Sequence, residues 1–183
     1  MHAIVPFSLF LLAIFGFGAF ALHARRSTIQ VDTDELGTLL AALAPVDMHG
    51  LVCVARDFLE PQRDQIGMEP EIIWRLLGGD LGLKRMRSNA DLLLALAALA
   101  SQWNEQEGAI VGERMRRDAL RLRSALRQVK LGMLAQIVTG HHWISVPFQL
   151  QEAASSYYLM RQRLLALIEA SHVGLLPRVS LAL

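Results

Sequence analysis

From Ala3 to Leu22 twenty consecutive residues carry no formal charge, and five of the seven phenylalanines fall there: Phe7, Phe10, Phe15, Phe17 and Phe20. A helix of about 20 residues crosses the ~30 Å hydrocarbon core of a bilayer, and it satisfies its own backbone polar groups there. A cleaved signal peptide is the competing reading, because Ala19-Phe20-Ala21 has the small-x-small form of a cleavage site. Ahead of the run stand only His2 and the amino terminus, where a signal peptide carries Lys or Arg. Behind it come His23, Arg25 and Arg26, and positive charge there favours retention on the cytoplasmic side. The pattern therefore predicts an uncleaved single-pass anchor over residues 1–23 and a juxtamembrane linker over 24–31. The N-terminus is expected outside and the rest of the chain in the cytoplasm.

Beyond the anchor the apolar positions keep helical spacing, and no run alternates β-branched with polar residues. Asp32 with Glu35 suits a helix start, Leu36, Leu39, Leu40 and Leu43 follow on one face, and Pro45 stops the segment. Asp47 is placed to cap a second helix with an apolar stripe of Met48, Leu51, Val52, Ala55, Phe58 and Leu59. Glu60-Pro61 ends it, and 62–68 is predicted as a polar loop. Pro70 suits the first position of a short third helix carrying Ile72, Ile73, Leu76 and Leu77, which Gly78-Gly79 terminates.

Asp80 is the predicted cap of a fourth helix with Met86, Ala90, Leu93, Ala97 and Ala100 on its buried face, and Trp103 just beyond. Every residue from Leu92 to Ala100 is Leu or Ala, which predicts burial on most sides. After a turn at 104–108, a fifth helix over about 109–138 is the longest predicted. Met115, Leu122 and Val129 recur every seven residues, as do Ala119, Leu126 and Met133. A second row, Leu120, Leu131 and Val138, lies well round the helix and implies contacts on both sides. A sixth helix over about 148–171 packs through Leu150, Ala153, Tyr157, Met160, Leu164 and Leu167. The expected architecture is all-α: a single N-terminal transmembrane helix followed by a helical bundle of about five or six helices. The bundle domain spans 32–174, and an apolar tail, 175–183, is expected to tuck into it or to be offered to a partner.

Charge changes the picture of the bundle's surface. Residues 27–80 carry three basic and ten acidic side chains, and residues 81–130 carry ten basic and five acidic ones. On the fifth helix Arg116, Arg123, Arg127 and Lys130 flank one edge of the seam, and Arg114, Arg117 and Arg121 flank the other. Such cations are expected to pair with the acidic N-terminal segments; they also suit anionic lipid headgroups or an acidic protein. The overall charge of +1 and the lack of a helix-turn-helix, RRM or aromatic platform argue against nucleic acid. Sixteen arginines against two lysines point to a GC-rich, bacterial coding sequence, and hence to the bacterial inner membrane.

Candidate chemistry is sparse. The sequence contains no G-x-S-x-G, P-loop, G-x-G-x-x-G, H-E-x-x-H or C-x-x-C. One cysteine, Cys53, excludes an internal disulfide, and beside an apolar stripe it fits an inert thiol better than a nucleophile. His141 and His142 could ligate a metal or haem, and Glu169 with His172 has the i, i+3 spacing of a di-iron half-site. A complete di-iron site needs a second such pair, which the chain lacks, and His172 equally suits a helix C-terminus. No cofactor is expected. The expected role is a non-enzymatic interaction or accessory subunit of a membrane assembly, binding a protein partner or a second copy of itself. A membrane-tethered metal or haem enzyme and a peripheral anionic-lipid-binding domain are the alternatives.

Overall fold

The computed structural model describes residues 33–60, 67–103, 105–139, 146–171 and 173–183. Residues 33–183 form one compact unit. The described residues are all-helical: α1 (Thr33–Ala41), α2 (Met48–Leu59), α3 (Pro70–Leu76), α4 (Gly79–Ser101), α5 (Glu105–Thr139), α6 (Val146–Ser171), a 3₁₀ turn (Val173–Leu175) and α7 (Leu176–Ala182). The predicted anchor, 1–23, and linker, 24–31, lie outside the described residues. Among those described, no helix is long and apolar enough to cross a membrane.

Three long antiparallel helices, α4, α5 and α6, make the body of the bundle. The heptad seam of α5 is buried as its spacing demands, with Met115, Leu122 and Val129 fully enclosed and Ala119 and Leu126 nearly so. The α4 face Met86, Ala90, Leu93, Ala97 and Ala100 and the α6 face Leu150, Ala153, Tyr157, Met160, Leu164 and Leu167 meet it. Helix α6 is central and touches α2, α3, α4, α5 and α7. Helix α2 runs along it, with the Phe58 and Phe148 rings 5.4 Å apart edge to face and Gln151 donating to Asp57 at 2.7 Å. The tail packs too: Val179 is fully buried, while Leu181 remains exposed.

The local start and stop signals work by the expected chemistry in two places and differently in a third. The Asp47 carboxylate accepts from the backbone N–H groups of His49 (3.0 Å) and Gly50 (3.2 Å), which fixes the start of α2. Asp47→Ala is expected to cost about 1 kcal/mol in chemical denaturation. Pro70 occupies the first turn of α3 as predicted. The start of α4 corrects the sequence expectation: Gly78 (φ 74°) and Gly79 (φ 60°) turn the chain in left-handed conformations, so the helix has begun before Asp80. Asp80 lies in the first turn instead and pairs with Lys84 at 2.6 Å.

The buried face of α2 also differs from the predicted stripe. Gly50, Leu51, Val54 and Ala55 are enclosed, while Leu59 is exposed and Val52 half-buried. A Cβ at Gly50 would lie 2.1 Å from the Leu76 carbonyl oxygen, so the bare glycine draws the end of α3 onto this side and rotates the buried face. The Leu/Ala run of α4 is buried on most sides as expected, with Leu93, Leu96, Ala97, Leu99 and Ala100 enclosed and Leu92 and Leu94 half-buried. Ala95 and Ala98 of the Leu/Ala run are exposed, and in the second row of α5 Leu120 is 62% and Leu131 65% exposed. Within the described chain both helices have one flank without a neighbour.

Candidate functional site

The open flank of α4 and the adjoining flank of α5 enclose a groove of about 580 Å³. Its walls are mostly small, with Ala95, Ala98 and Ser101 from α4 and Gly108, Ala109 and Gly112 from α5, and Leu94 the one larger apolar side chain. The sequence brings these together because α4 and α5 meet tightly at their shared end. A Cβ at Gly108 would fall 2.4 Å from the Ser101 Cβ, so the helices touch there through bare backbone. At Gly112, one turn further along α5, a Cβ would meet nothing within 4 Å. The helices have diverged by then and the groove is open.

Polar groups at the groove are mostly engaged with their own helices. Ser101 Oγ donates to the Ala98 carbonyl at 2.7 Å, and Glu113 at the rim accepts from Arg117 Nε at 3.0 Å. Arg116 is exposed at the opening and pairs with no carboxylate among the described residues. The site is thus a channel walled mostly by methyl groups, with the Arg116 guanidinium, unpaired among the described residues, at its mouth. That geometry suits a close-packing helix with small residues on its face and an acid set to meet Arg116.

The other predicted cations of α5 are dispersed around the helix. Arg123 reaches Asp91 on α4, Arg117 pairs within its own helix, and Arg114, Arg121, Arg127 and Lys130 are exposed. Their observed partners, among the described residues, come from α4 and α5, and Lys130 also acts on Asp80 of the acidic 27–80 stretch. Asp80 is held below the usual carboxylate range first by its hydrogen bond from Lys84 and further by Lys130.

Two polar arrangements in the core were not anticipated. Asp118 is buried on the seam's edge and forms an ion pair with Arg163 of α6. Burial, and then the neighbouring Arg114 charge, push the Arg163 guanidinium below its ordinary range. Asn89 of α4 acts as a three-way tie. Its amide donates to the Ala44 carbonyl (2.8 Å) and to the Tyr157 hydroxyl (3.0 Å), and its Oδ1 accepts from the Ala44 N–H (2.9 Å). A signal for the pair existed: Asp118 stands three residues after Met115 and four before Leu122, which places an acid on the buried flank of a helix.

The predicted metal candidates do not gather in the described structure. His141, His142 and His172 lie outside the described residues. Glu169 is exposed near the end of α6 rather than turned into the core as a di-iron carboxylate would be. Among the described residues no group of three His, Cys, Asp or Glu side chains is placed to hold a metal ion. Cys53 is half-buried, with its sulfur 4.0 Å from His49 Nε2.

Comparison with known protein families, curated proteins and solved structures finds no match to this chain.

Proposed function

We propose that this protein is a single-pass, membrane-anchored accessory subunit whose helical bundle binds another protein, without catalysing a reaction of its own. The anchor is the uncharged stretch Ala3–Leu22, with Arg25 and Arg26 holding the following bundle on the cytoplasmic face of a bacterial inner membrane. The observation that carries the binding role is the α4–α5 groove, with small residues on both walls and, at its mouth, Arg116, which pairs with no carboxylate among the described residues. Helices approach closely where Ala, Gly and Ser line the contact, so the partner chemistry is an amphipathic helix with an acid near Arg116.

A test follows from Gly112. Its Cβ position is open, so Gly112→Ala is expected to stabilise the fold by about 0.5–1 kcal/mol through helix propensity. Gly112→Trp would fill the groove without disturbing the seam beneath it. C-terminally tagged full-length protein is recovered from native membranes in mild detergent, and the same sample is assayed for metal. Wild type should carry a stoichiometric protein partner that Gly112→Trp loses while its melting temperature is kept. Equal recovery of partners by both would remove the groove from the role. Protein recovered alone with bound metal or haem would move the enzyme alternative to first place.

A further inference from the structure

Beyond Asp118, α5 carries four cations, Arg121, Arg123, Arg127 and Lys130, and no acid to its end at Thr139. Arg123 is engaged by Asp91, but Arg121 and Arg127 are exposed and pair with no carboxylate among the described residues. Before and after them stand Leu120 (62% exposed), Leu131 (65%) and Leu134 (59%). The eleven residues from Leu120 to Leu131 make about three full turns, so both leucines point the same way, roughly 16 Å apart. Arg127 lies within this row, between Leu120 and Leu134, and Arg121 stands to one side of it.

The feature is a ridge and not a groove, and it starts one turn beyond Arg116, where the lining of the Ala/Gly-walled channel ends. A second copy of the chain is a poor occupant, because two such ridges packed together would gather cations from both copies with no acid on this stretch of α5 to meet them. Leucines flanked by unneutralised guanidinium groups fit a surface with an apolar layer beneath a plane of negative charge. Guanidinium groups bind phosphate oxygens in a bidentate fork, while leucine side chains reach the acyl boundary below. The chain itself supplies a reason for such a surface to be near. The ten residues 23–32, between the uncharged stretch and the compact unit, extend at most about 35 Å. The geometry points to an anionic lipid surface as the ligand of the Leu120–Leu134 ridge of α5. The inference rests on the membrane-anchored reading for this tether alone.

The experiment uses the full chain with a polarity-sensitive fluorophore on Ser124→Cys, between Leu120 and Leu131, in a Cys53→Ser background. It is read in lipid nanodiscs of phosphatidylcholine and in discs that also contain phosphatidylglycerol. The expected result is a blue-shifted emission in the anionic discs only, reversed by high salt. Arg121→Glu with Arg127→Glu is expected to lower the docked fraction by more than tenfold, at about fivefold or more per cation lost. Emission identical in both disc types overturns the inference. A shift confined to native membranes, and tracking a co-purifying protein, also overturns it and assigns the ridge to an acidic protein surface. A chain that fails to enter discs refutes the anchor and not the ridge. The same probe is then read on the soluble protein with vesicles of both compositions, where the absence of a composition-dependent shift overturns the inference.

Discussion

Arg163→Met is expected to destabilise the bundle by about 3–5 kcal/mol, more than any single loss of a surface charge. The reason is an asymmetry in the pair it breaks. The Asp118 side chain is 3% exposed and that of Arg163 29%. Removing the arginine strands a carboxylate between α5 and α6 with no route to water. Removing the acid leaves a guanidinium that can swing outward, so Asp118→Asn should cost only about 1–2 kcal/mol. A double replacement, Asp118→Leu with Arg163→Met, should recover most of the loss, because an apolar pair of similar volume needs no desolvation of charge. Urea denaturation of the four proteins checks the order. Equal cost for both single variants would contradict the burial asymmetry on which the argument stands.

The second large effect is at Asn89. Asn89→Leu keeps the volume but removes three hydrogen bonds and leaves the Ala44 N–H and C=O without their partner, at an expected cost of about 2–4 kcal/mol. A second readout separates this from ordinary core damage. Burial raises the Tyr157 phenol above its usual value, and the hydrogen bond from Asn89 opposes that rise. Loss of the donor should therefore push Tyr157 higher still, visible as a later phenolate absorbance in an alkaline titration. An unchanged titration would mean that Asn89 does not act on Tyr157.

How much of this was legible in the sequence follows the kind of signal involved. Seam residues such as Met115, Leu122 and Val129 announce themselves, because burying a repeating apolar stripe is the main source of helical stability in a folded protein. The Asp47 cap is equally local, since its bonds reach only two and three residues ahead. Asn89 was opaque because its partners are 45 and 68 residues away. The groove is not legible for a different reason: alanine counts as apolar in any pattern, yet exposing a methyl group costs little, so Ala95 and Ala98 can face water in an unbroken Leu/Ala run. The second row of α5 predicted contacts on both sides of the helix. The described chain covers one side, and the proposed lipid surface supplies the other.

The most direct test of the central claim places a photo-crosslinking amino acid at Ala98, on the groove wall, in full-length protein expressed in native membranes. The account predicts a discrete protein adduct that is absent when Gly112→Trp fills the groove and unaffected by Arg121→Glu with Arg127→Glu. A crosslink that survives the filled groove, or no protein adduct in membranes that retain the chain, would contradict it.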